Sequence, residues 1–157
     1  MSTGDWTRQT NPYPTSTFKF SVEGIEIGTF QEVSGLSVDI EVEEIQEGGE
    51  NGFVHKLPGR MTWPNIVLKR GLTRSNNLFE WINKSSGAGF DGANNRLERR
   101  PATITLLAAD ESPLRSWEIV DAFAVKWTGP SFDATSTDPA TEELEIAHHG
   151  FTSNNIA

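Results

Sequence analysis

Residues 36–47 read LSVDIEVEEIQE, and their alternation constrains the fold more than any other run in the chain. Leu36, Val38, Ile40 and Val42 take one face of an extended strand, and Ser37, Asp39, Glu41 and Glu43 take the other. A period of two marks a strand with two unlike faces. Carboxylates at i, i+2 and i+4 repel one another, so the acid face is expected to be wet or opposed by bases. The alternation slips at Glu44, where Ile45 follows two acids in a row, and a bulge is expected there.

The same period recurs along the chain. Phe18, Phe20 and Val22 alternate with Lys19, Ser21 and Glu23, and Gly24 then suggests a tight hairpin into a second strand beginning at Ile25. Ser34-Gly35 reads as a turn or bulge. Residues 48–64 read as a long connection punctuated by Gly48, Gly49, Gly52, Pro58, Gly59 and Pro64. Loops of that length inside a compact domain are uncommon. This one also carries Phe53, Val54, Leu57, Met61 and Trp63, which a loop left in solvent would not need. It either folds back on its own core or packs on a neighbouring subunit.

Residues 65–71 form another strand, with Ile66 and Leu68 inward. A single helix follows: Asn77 with Glu80 resembles a capping box, and Leu78, Trp81 and Ile82 make its apolar stripe before Gly87 and Gly89 stop it. Arg96, Arg99 and Arg100 cluster at the end of a polar loop. Ala102–Ala109 is a strand. Trp117 to Trp127 gives one or two more, and Thr141–Phe151 alternates as a last one with Leu144, Ile146 and His148 on one face. The sum is mainly β: an antiparallel sandwich or barrel of about seven or eight strands with one packed helix. Residues 1–16, polar and holding Pro12 and Pro14, read as a flexible arm, and 17–157 as a single domain. Such a sheet must dispose of its edges, and pairing them with another chain is one way.

Recognisable chemistry is absent. With no cysteine there is no disulfide framework, thiolate metal site or cysteine nucleophile. His148 and His149 are adjacent, so on a strand they point to opposite faces and cannot easily share a metal. Ser34 lies in VSGL and not in a GxSxG elbow, GGENG lacks the Lys-Ser/Thr of a phosphate loop, and GAGFDG follows a helix instead of opening one. No catalytic residue, metal or cofactor is therefore expected. The net charge of −9, from 22 acids and 13 bases, argues against a broad basic surface for DNA or RNA. The first twenty residues hold no apolar run, so neither a secretory signal nor a membrane anchor is expected.

Several segments taken together resemble a known family. FQEVSGLSVDIEVEEIQEGGENGFVHKLPG, then NIVLKRGLTRSNNLFEW, ATITLL, SWEIVDAFAVKWTGP and EELEIAHHGF are similar, in order and spacing, to the inner-tube protein of contractile phage tails and related injection systems. The resemblance runs from about Phe18 to Phe151. It implies a barrel-like subunit that closes into hexameric rings. The rings stack head to tail into a hollow conduit, which a contracting sheath drives through a target envelope. Sheath, baseplate or spike, and tape-measure proteins are the implied partners, and the particle would be assembled in the bacterial cytoplasm. Asp39, Glu41 and Glu43 would then face the lumen, where an acid wall would repel DNA. Phe53, Leu57, Pro58 and Trp63 would belong to an inter-subunit loop. Arg96, Arg99 and Arg100 would meet the outer surface or a neighbour. The arm before Phe18 and the loop at 87–100 are longer than the family pattern needs. A secreted ring-forming tube protein of a type VI-like machine and a stand-alone β-sandwich binding module are the competing readings.

Overall fold

The computed structural model describes residues 17–46, 48–49, 52, 54–85, 99–131, 133–135 and 137–155. The 1–16 arm, Phe53, the Gly87 and Gly89 stop and Arg96 lie outside the described residues.

Strands β1 (Thr17–Val22) and β2 (Ile25–Phe30) form the expected hairpin, turning at Glu23-Gly24, both at positive φ. One residue later the chain continues as β3 (Glu32–Ser34). Then come β4 (Asp39–Ile45), β5 (His55–Thr62), β6 (Ile66–Gly71), α1 (Asn77–Ser85), β7 (Arg100–Leu107), β8 (Pro113–Thr128), β9 (Thr141–Ala147) and β10 (Phe151–Asn155). The principal sheet runs β2-β1-β7-β8-β9-β6-β3, with β10 added to β8. Its two ends, β2 and β3, are consecutive pieces of one extended segment, and the Gln31 N–H between them donates to Lys69 O at 2.9 Å. Opposite them, the sixteen residues of β8 pair with β7 and then with β9, bending at Asp121, where φ is 52°. These two shared segments curl the sheet into a barrel.

The interior follows from the alternation. Phe20, Phe30, Ile66, Leu68, Leu78, Ile104, Ile119, Leu144 and Ile146 are fully buried. Each such side chain contributes roughly 1.5–3 kcal/mol by leaving water. Helix α1 closes one side by placing Trp81 edge-on against Phe20, with centroids 5.3 Å apart. Its cap differs from the expected box: Asn77 is the first helical residue, and its N–H donates to the Ser75 hydroxyl at 3.4 Å.

One cross-strand pair inside the barrel is ionic. On β6 and β9 the inward positions pair Ile66 with Ile146, Leu68 with Leu144 and Arg70 with Glu142. Arg70 Nε donates to Glu142 Oε1 at 2.5 Å, and both side chains are about 4% exposed. Trp127 Nε1 donates to Glu142 Oε2 at 3.2 Å, and the guanidinium lies 5.0 Å over the Phe30 ring. Gly28 leaves the room, since a Cβ there would sit 2.3 Å from an Arg70 guanidinium nitrogen.

Three strand expectations change. The long connection is half strand, because β5 answers β4 along its length and carries Leu57, Pro58 and Met61. The bulge lies between Ile40 and Val42, not at Glu44: Glu41 faces the pair Gly59-Arg60. Thr141–Phe151 is not one strand; it stops at Ala147, turns through Gly150 (φ 121°), and restarts as β10 on β8.

Candidate assembly surface

The ribbon of β4 and β5 is a two-stranded sheet of its own, apart from the barrel. It extends the β3–β6 pair outward: Ser34 pairs with Val67 at the barrel's rim, and Asp39 pairs with Thr62 beyond it. Every residue of β4 is exposed, as is every residue of β5 except Gly59.

Register sorts its two faces, since directly opposed residues share a side. Asp39 with Thr62, Glu43 with Leu57 and Ile45 with His55 share the first face, to which Glu41 also belongs. Ile40 with Met61, Val42 with Pro58 and Glu44 with Lys56 share the second. The expected acid row is therefore intact. The apolar face behind it is bare: Ile40, Val42 and Met61 are 48, 59 and 52% exposed. An isolated two-stranded ribbon is at best marginally stable in water, and an apolar patch at its middle marks a contact surface.

Its root is rigid. Trp63, expected among the inter-subunit anchors, packs inside the chain. Its ring lies 5.1 Å from Phe151 and 6.1 Å from His148, and Gly150 passes against the indole. His148 is buried, with Nε2 2.9 Å from Pro64 O and Nδ1 accepting the Gly150 N–H at 3.0 Å. The only tautomer that suits both contacts carries hydrogen on Nε2. On the other leg Gly35 takes φ 84°, and a Cβ there would meet Asn65 O at 2.1 Å. Gly35→Ala is expected to cost about 2 kcal/mol or more, from a left-handed residue with a side chain plus a backbone collision. Chemical denaturation would show it as a lower midpoint; an unchanged midpoint would mean the root is not fixed there.

Arg99 and Arg100 find partners within the chain. Arg99 donates to His149 Nε2 at 3.2 Å, and its guanidinium lies 5.5 Å over Phe123. With Nε2 accepting, His149 Nδ1 carries the hydrogen toward Asp121 Oδ2, 3.1 Å away. Arg100 forms an ion pair with Glu23 at the β1–β2 turn. The two histidines diverge, though not as opposite faces of one strand: both follow the end of β9 at Ala147, His148 turning inward and His149 outward. Among the described residues no group of three or more His, Asp or Glu could hold a metal ion.

Sequence reasoning missed the Arg70–Glu142 pair, although both residues sit in phase with Leu68 and Leu144. The phase was the available signal, and charge hid it. It also missed a cleft of about 440 Å³ between the β1–β2 turn and α1, which no local motif announces.

These elements build a closed antiparallel barrel with one helix and a projecting, exposed two-stranded ribbon. The T4-like virus tail tube protein gp19 family matches residues 14–152, and the chain belongs to it: it is a tail tube protein of a contractile, phage tail-like injection particle. Solved structures agree. A chain of the extracellular contractile injection system PVC sheath-tube complex in its extended state is 30% identical, with TM-score 0.74 and 99% of each chain covered. The anti-feeding prophage (AFP) tube-terminating cap is 29% identical, with TM-score 0.73 and 93% of each chain covered. The 6-fold symmetrised AFP baseplate contains a chain 26% identical, with TM-score 0.65, covering 90% of this chain and 93% of that one. No curated protein matches the sequence.

Proposed function

We propose that copies of this chain close into hexameric rings that stack head to tail as a rigid, non-enzymatic conduit, surrounded by a sheath and seated on a baseplate. The observation that carries this is the β4–β5 ribbon, exposed on both faces with apolar residues at its centre. A ring interface is heterologous, so one bare patch meets a different patch on the next copy and the contact repeats. The apolar face of Ile40, Val42, Pro58 and Met61 turns onto the adjacent subunit, while Asp39, Glu41 and Glu43 face the channel. Leu57 and Pro58 stand on the ribbon's outer half, where neighbouring subunits or rings come within reach. Trp63 acts one step back, by holding the ribbon's root. Arg99 and Arg100 brace the surface that a sheath or a neighbour would touch. Sheath-tube and 6-fold baseplate assemblies among the similar structures support this reading, and assembly of the particle in the bacterial cytoplasm goes with it.

The acid face gives a separate test. Changing Asp39, Glu41 and Glu43 together to Lys is expected to leave tube formation largely intact, because a row facing water in a channel contacts no partner. Negative-stain microscopy of the purified variant reads the outcome. Loss of soluble protein or of tubes would place the row in a buried contact.

A further inference from the structure

We infer that Asp5-Trp6-Thr7-Arg8 of one copy seats in the cleft between the β1–β2 turn and α1 of a second copy, the next one along the stack; this rests on the stacked-tube reading above. The cleft, about 440 Å³, has Val22, Ile27 and Trp81 at its floor and Glu26, Glu80 and Lys84 at its rim. The floor residues are buried, yet Ile25 beside them is 68% exposed. That volume lies within the range of sites that hold a side chain of indole size with its flanking backbone. Glu23 is already tied to Arg100, whereas Glu26 and Glu80 are in no ion pair among the described residues. The cleft therefore calls for an aromatic group accompanied by a cation. Residues 1–16 contain one tryptophan, Trp6, and one base, Arg8, two positions apart.

Chain direction selects the copy. The cleft opens at the Glu23-Gly24 end of β1, while residues 1–16 join at Thr17, the opposite end. The six residues of β1 separate the two by about 20 Å. Both edges of β1 are taken, by β2 and β7, so the incoming chain cannot run back along β1 as a paired strand. A segment leaving one end and a receptor at the other are two unlike patches, as a heterologous contact between copies needs. From Thr17 an extended chain reaches Trp6 across roughly 35 Å, enough to cross to a stacked neighbour.

The chain has no cysteine, so engineered thiols report without background. Thr7→Cys chains and Ile25→Cys chains, mixed, assembled and treated with a short bis-maleimide, are expected to give a two-chain band. Chains carrying both substitutions are expected to give a ladder. A cross-link confined to single chains, or none at all, in well-formed tubes overturns the inference. Failure of the unsubstituted chain to form tubes would instead overturn the stacked-tube reading, and this inference with it. Should the thiol variants alone fail to assemble, a charge swap decides. Arg8→Glu is expected to raise the concentration needed for assembly about tenfold, and Glu26→Arg in the same chain to restore it; no effect of the first, or no rescue by the second, refutes the docking.

Discussion

A chain carrying Val42→Lys and Met61→Lys is expected to stay folded as a monomer and to form no tubes. Both positions lie on the bare face of the ribbon and touch no part of their own barrel's core. Exposed substitutions of this kind usually shift stability by about 0.5 kcal/mol or less, so the barrel should melt within about 2 °C of the unsubstituted chain. In a ring the same lysines would be pressed into an apolar contact without partners. Burying an unpaired polar group costs roughly 1–3 kcal/mol even with relaxation, and more for a charge. Two of them at each interface lower association by over ~100-fold. Size-exclusion chromatography with thermal melting separates the two effects. Tubes from the double variant would show that this face is not an interface; an unfolded monomer would show that the ribbon belongs to the core.

The largest loss of stability is expected from Glu142→Ala. Arg70 would keep its burial and lose its carboxylate, and Trp127 Nε1 would lose its acceptor. Breaking a buried ion pair from one side costs about 3–5 kcal/mol, because the remaining charge is stranded. For a domain of this size that lowers the melting temperature by about 10 °C. The exposed Lys69–Glu143 pair, one residue along on the other face at 3.5 Å, is the natural control. Glu143→Ala should cost no more than about 1 kcal/mol, since both ends remain solvated. Replacing the inner pair as a whole, Arg70→Met with Glu142→Leu, should recover most of the loss. A single Glu142→Ala variant as stable as the parent would mean that water reaches the pair.

The barrel strands were legible because burial imposes a period of two: Phe20 and Val22, Ile66 and Leu68, Leu144 and Ile146 all point inward as their alternation demands. The helix was legible from its stripe, and Leu78 and Trp81 are buried. The ribbon's second strand was not. His55–Thr62 has no alternation to show, because no face of it is covered within the chain, and Pro58 with Gly59 imitates a turn. Gly59 instead belongs to a bulge, where its missing side chain lets Glu41 and Glu43 approach. The intrachain packing of Trp63 was hidden for a related reason. An aromatic residue beside a loop looks free in one dimension, but β10 returns Phe151 to it from the far end of the chain. The acid row was readable as a row. In the proposed tube, what it faces would be fixed by neighbouring copies, which a single sequence carries only through family resemblance.

Cryo-electron microscopy of tubes grown from the purified chain would show where the ribbon lies. A bore lined by β4 and β5 is expected, with Ile40, Val42 and Met61 withdrawn from solvent against the adjacent subunit and Asp39, Glu41 and Glu43 toward the channel. Tubes in which that ribbon hangs free, or a chain that stays monomeric at high concentration, would contradict it.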